Sequence, residues 1–123
     1  MNLVFDPNAS GLQKVFKDYQ IEAMKFAWEN AENGVTSYQV YTKVNERLEE
    51  GRSISRASII NFLDRMVEEG ILDYTTKSGK GGYHRIYRPK FDEKRFKKEL
   101  VKSILSSLMR DFRDETMEVI KNY

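Results

Sequence analysis

The chain has 123 residues, 40% of them hydrophobic and 33% charged, a balance that fits one compact domain and excludes a disordered or membrane-spanning chain. The absence of cysteine and the single histidine, His84, remove disulfides, thiolate metal sites and cysteine nucleophiles, and leave little for histidine-based metal or proton chemistry. The net charge of +2 hides an asymmetry: nine cations against Asp92 and Glu93 give residues 77–98 a local +7, leaving −5 elsewhere, so this stretch is either a polyanion-binding patch or a solvated basic run.

No apolar run approaches the roughly 18 residues of a membrane span, and "MNLVFDPNASG" lacks the basic start and apolar core of a signal peptide. The expected location is the cytoplasm. The first 16 residues, an N-terminal extension, contain Phe5, Leu12, Val15 and Phe16 without a sustained period.

A first helix is predicted in "FKDYQIEAMKFAWENAENG", where Ile21, Met24, Ala27 and Trp28 form the apolar stripe and Asn33-Gly34 stops it. A second follows Thr36, which stands three residues before Gln39 in the spacing of a capping box. Its stripe is Val40, Val44 and Leu48, and it ends near Gly51. The third starts at Ser53 or Ser55, either able to cap it, buries Ile59, Phe62, Leu63 and Met66, and stops at Gly70.

Beyond Gly70, "ILDYTTKSGKGGYHRIYRP" places strand-type residues on both sides of a glycine cluster, which raises the question of a phosphate-cradling loop. Such a loop needs Gly-Lys followed by Ser or Thr and then a helix; here no Ser or Thr follows Lys80 and the next run is strand-like. A β-hairpin fits instead, with Gly79, Gly81 and Gly82 supplying positive φ and Pro89 closing the second strand. Three helices and then a basic hairpin is the order of a winged helix-turn-helix, so the predicted fold is mostly α with a small β-hairpin, residues 17–90 forming the DNA-binding unit. Residues 91–123 hold a helix of about 20 residues capped by Asp92 and a short one from about Asp114 to Lys121.

The third helix presents Arg56, Ala57, Ser58, Ile60, Asn61 and Asp64 outward. Arg56 suits guanine, Asn61 suits adenine, and Ala57 or Ile60 suits a thymine methyl; the plain alternative is a solvated face. Ser37, Tyr38 and Gln39 at the start of the second helix, Ser55, and Lys77, Lys80, His84 and Arg85 in the wing are the candidate phosphate contacts, against plain capping and solubility. Tyr74, Tyr87 and Trp28 read as core. Phe96, Leu100, Val101, Ile104, Leu105, Leu108, Met109 and Phe112 make a C-terminal stripe too wide to leave in water, predicted to bury against a second copy rather than to fold back. No nucleophile-base pair or metal-ligand set occurs, and the adjacent Glu68 and Glu69 point apart on their helix, so neither enzyme activity, cofactor nor metal is expected.

The stretches "IEAMKFAW", "SISRASIINFLDRMVEEGILDY" and "SLMRDF", in this order over roughly residues 15–118, resemble the penicillinase-repressor family of winged-helix transcriptional repressors. The resemblance implies an N-terminal DNA-binding domain, C-terminal helices that intertwine two protomers, and a homodimeric repressor on an inverted-repeat operator of double-stranded DNA. Some members are cleaved at an Asn-Phe bond in the C-terminal helix; here the matching pair is Asp111-Phe112, and copper-responsive relatives carry a cysteine motif that this chain lacks. The rival reading is a winged helix that serves protein assembly, with Ile60 and Tyr83 in a partner interface.

Overall fold

Local chemistry sets the ends of each helix in the computed structural model, which describes all 123 residues. Helix α1 spans Asp18–Glu29, and the Gln20 side chain accepts the Lys17 amide at 2.9 Å because lysine itself offers no acceptor. Helix α2 spans Ser37–Arg47 under a complete capping box: Thr36 Oγ1 accepts the Gln39 amide at 3.1 Å and Gln39 Oε1 accepts the Thr36 amide at 2.9 Å. Helix α3 spans Arg56–Glu68, and of the two serines anticipated it is Ser55 that caps it, accepting the Ser58 amide at 3.1 Å. At its other end Gly70, with φ of +76°, lets the Ile71 amide reach Met66 O at 2.9 Å and the Gly70 amide reach Val67 O at 3.1 Å.

The apolar stripes meet in one core. Ile59, Phe62, Leu63 and Met66 of α3 are all buried, as their spacing requires, against Val40 and Val44 of α2 and Ala23, Met24 and Ala27 of α1. Burial of each large side chain stabilises the fold by roughly 2 kcal/mol. Ile21 and Trp28, expected in the α1 stripe, are half-buried at its margin, and Ala23 takes the place between them. The turn between α2 and α3 is held by Asn45, whose Nδ2 donates to Tyr41 O and Ile54 O while its Oδ1 accepts the Ile54 amide at 2.9 Å. That clamp fixes where α3 begins.

Strands β1 (Leu72–Gly79) and β2 (Gly82–Pro89) pair antiparallel, with Gly79 opposite Gly82 around Lys80 and Gly81. Positive φ occurs at Gly81 and Gly82; Gly79, expected to share it, does not, and its bare Cα instead leaves room for the His84 ring, 3.2 Å from where a Cβ would stand. Val35 joins the edge of this two-stranded sheet through a single antiparallel bridge, exchanging backbone hydrogen bonds with Tyr87 at 2.9 and 2.8 Å. Tyr87 is buried as expected, but Tyr74, also expected in the core, lies at the surface with 36% of its area exposed.

Helix α4 (Glu93–Asp111) starts at Asp92, whose carboxylate accepts the Arg95 amide at 2.8 Å, and α5 spans Arg113–Lys121. Phe96 is a correction to the sequence reading: it is fully buried within its own chain, stacked on Phe16 at 5.5 Å and tilted against Trp28 at 5.7 Å, so it is unavailable to a second copy. Trp28 Nε1 also donates to Phe91 O at 3.1 Å, which fastens the segment leading into α4 to α1. Phe16, at the end of the anticipated extension, therefore belongs to the core, and Met1, Leu3, Leu12 and Val15 are half-buried against that core. No helix is long and apolar enough to cross a membrane.

Candidate nucleic-acid interface

Helix α3 and the hairpin diverge from the core like two walls, and the N-terminus of α2 closes one end of the groove between them. The groove, about 580 Å³, is lined by Thr36, Ser37 and Tyr38 from α2, Arg56, Ile60 and Asp64 from α3, and Tyr83, His84, Arg85 and Tyr87 from β2. Arg56, Ile60 and Asp64 recur every four residues, so they form the flank of α3 that faces the wing. Ser58, Asn61 and Arg65 form the opposite flank, in a shallower recess with Tyr19, Gln20 and Phe62, and Ala57 is exposed between the two. The five anticipated base-reading residues therefore share one outward surface but not one groove. Ile60, anticipated as an outward apolar residue, is half-buried in the groove wall.

The register of the hairpin divides its cations between two faces. Tyr74, Thr76 and Ser78 stand opposite Tyr87, Arg85 and Tyr83 and share the face turned to α3, whereas Lys77 is on the other face, paired with His84, which lies at the groove's rim with Nε2 3.3 Å from Lys80 O. On the inner face Tyr87 donates to Asp64 Oδ1 at 2.5 Å, Arg85 Nη1 donates to the same oxygen at 3.0 Å, and the Arg85 guanidinium lies 4.2 Å from the centre of the Tyr74 ring. Burial above all, reinforced by the bond to the Asp64 carboxylate, raises the Tyr87 phenol from 10.0 to about 12. Tyr87 is thus a neutral donor throughout the physiological range. Arg56 in turn stands 5.6 Å over the exposed Tyr38 ring.

Several anticipated contacts are engaged within the protein. The Ser55 hydroxyl donates to Ser58 Oγ at 2.9 Å while accepting the Ser58 amide, so both hydroxyls serve the cap. Gln39 Oε1 is occupied in the α2 capping box, leaving Ser37 and Tyr38 as the free side chains there. Within the basic run, Arg88 donates to Glu32 O, Asn33 O and Thr75 Oγ1, Lys97 pairs with Glu93 at 2.7 Å, and Arg95 leans toward Glu99 at 3.9 Å. Lys77, Lys80, Lys90, Lys94 and Lys98 have no side-chain partner and are exposed. Arg65, which the sequence reading passed over, is likewise exposed and unpaired; its position four residues after Asn61 was the signal.

Far from this surface, α5 packs on α4 and leaves a dish of about 310 Å³ lined by Leu105, Leu108, Phe112, Val119 and Ile120, with Thr116 at its base. Leu105, Leu108 and Phe112 are 37%, 39% and 58% exposed, Val101 is exposed as well, and Leu100, Ile104 and Met109 are half-buried. No group of three or more His, Asp or Glu side chains is gathered as a metal site.

Three helices, a clamped turn, a capped third helix with an open polar face and a cationic hairpin beside it define a winged helix-turn-helix protein. The family model described as penicillinase repressor matches residues 18–122, and the chain belongs to that family. No curated protein matches the chain closely enough to add a named relative.

Proposed function

We propose that this protein is a sequence-specific, DNA-binding transcriptional repressor that acts as a homodimer on an inverted-repeat operator. The observation that carries the reading is the groove itself, in which the outward flank of α3 and the inner face of a cationic wing meet at a helix N-terminus. Arg56 and Asn61 are the hydrogen-bonding base readers, Ala57 and Ile60 the apolar ones, and Ser58 contributes through whatever its cap leaves free. Phosphates are held by Ser37, Tyr38, Lys77, Lys80, His84 and Arg85, to which the free Arg65 is added. The exposed leucines and Phe112 of the C-terminal dish support the dimer, since apolar area of this extent gains roughly 25 cal/mol per Å² when covered by its symmetric copy.

The test is selection from a randomised duplex library. A pseudo-palindromic motif is the expected outcome, its half-sites separated by one helical turn or a multiple. A single half-site would retain DNA reading and remove the symmetric dimer. Recovery of no motif, with a protein partner retained in pull-down, would instead favour the assembly-module reading built on Tyr83 and Ile60.

A further inference from the structure

Of the wing cations expected to touch DNA, Arg85 is the one held by an ion pair and an aromatic ring, and what holds it is outside the set of residues expected to touch DNA. Asp64 Oδ1 pins one corner of its guanidinium at 3.0 Å, and its central carbon lies 4.2 Å from the centre of the Tyr74 ring. Asp64 is itself fixed, because the same oxygen accepts the buried Tyr87 hydroxyl. A guanidinium carries five N–H donors in a rigid fork, and Arg85 spends Nη1 on Asp64 with the Tyr87 hydroxyl beside it, which leaves donors for a ligand. The side chain remains 45% exposed.

We propose that Tyr74 and Asp64 are positioning residues that preorganise Arg85 to grip a backbone phosphate with its free donors. The inference rests on the DNA-binding reading above and deepens it. A flexible cation must lose rotamer freedom when it closes on a phosphate; an arginine already stacked and pinned has lost that freedom on folding. Lys77 and Lys80 have no such support. They contribute charge without geometry, whereas Arg85 contributes both. Asp64 does this at the expense of placing a negative charge near a polyanion, which makes its own replacement ambiguous: Asp64→Asn loosens Arg85 and at once removes a repulsion. Tyr74 is uncharged, so its replacement isolates the positional effect.

The experiment measures the affinity of the full chain for a random-sequence duplex, because a phosphate contact is independent of sequence. Tyr74→Leu should weaken binding about five-fold, the size of one cation-ring contact. Tyr74→Phe should restore it, since the ring face and not the hydroxyl does the positioning. In an Arg85→Gln background Tyr74→Leu should have no further effect. In the free protein, the upfield ring-current shift of the Arg85 side-chain protons should vanish in Tyr74→Leu and persist in Tyr74→Phe. Unchanged affinity in a folded Tyr74→Leu, or an equal loss with and without Arg85, overturns the proposal and leaves the DNA-binding reading intact. Failure of the wild-type chain to bind any duplex overturns both, and is told apart because the wild type itself then fails.

Discussion

The Tyr87 hydroxyl donates to Asp64 Oδ1 at 2.5 Å, tying the inner face of the hairpin to α3 across 23 residues of chain. Removing that bond with Tyr87→Phe should lower stability by about 1 kcal/mol. In thermal unfolding this is a fall of about 4 °C. Burial of the phenol, more than the bond, adds a pH signature. An unfolded tyrosine titrates near 10 and the folded Tyr87 at about 12, so the stability that the neutral phenol supports is whole below pH 10 and is lost as the pH rises through 12. Wild type should therefore lose about 2 kcal/mol more than Tyr87→Phe between those limits, as measured by denaturant unfolding of the two proteins in parallel.

Gly34 stands where β2 crosses the turn between α1 and α2, with φ of +77° and no room for a methyl group. A Cβ there would lie 2.6 Å from Ile86 Cγ2 and 3.0 Å from Tyr87 O. Gly34→Ala should cost more than about 2 kcal/mol, combining left-handed strain with a clash against backbone. Gly51, at φ of +84°, has open space around it, so Gly51→Ala should cost only about 1 kcal/mol. Equal midpoints for the two variants in urea would show that the close approach at Gly34 relaxes without penalty.

Much of this architecture is legible in the sequence because it is local. The Thr36-Gln39 box, the Ser55 and Asp92 caps, the Gly70 stop and the four-residue stripe of α3 each depend on residues within one or two turns, and each is found in place. What escapes the sequence is chemistry between distant segments. Phe96 has the spacing of the C-terminal stripe, yet Phe16 and Trp28 draw it into the core from 80 and 68 positions away. The wing was legible as a basic hairpin, but only its register reveals that Arg85 faces α3 while Lys77 stands on the other face. Asp64 and Tyr74 gave no signal at all, since a carboxylate on a recognition face and a tyrosine in a strand both have ordinary explanations.

Phe96 and Leu108 lie on the same helix and should fail in different ways. Phe96→Ala opens a cavity between Phe16 and Trp28 and should cost about 3 to 5 kcal/mol, lowering the unfolding midpoint at every protein concentration. Leu108→Glu places a charge in the exposed dish, so it should leave the winged helix folded and convert a dimer to monomers in analytical ultracentrifugation. A Leu108→Glu protein that still sediments as a dimer would remove the C-terminal dish from the interface.

Lys80 and Asn61 separate affinity from choice of sequence. Lys80, unpaired at the hairpin tip, can neutralise a phosphate whatever the base, so Lys80→Ala should weaken all duplexes alike. The slope of log affinity against log salt should become shallower by about 0.9, the contribution of one phosphate. Asn61, exposed on the far flank of α3, should act differently. Asn61→Ala should keep the salt slope and relax preference at one base position, with a loss of discrimination of about 1 to 3 kcal/mol. The check is a pair of titrations, random duplex and selected motif, each across a range of salt. If Lys80→Ala alters the selected motif, or if Asn61→Ala changes the slope while the motif stays the same, the division of labour between wing and helix is reversed.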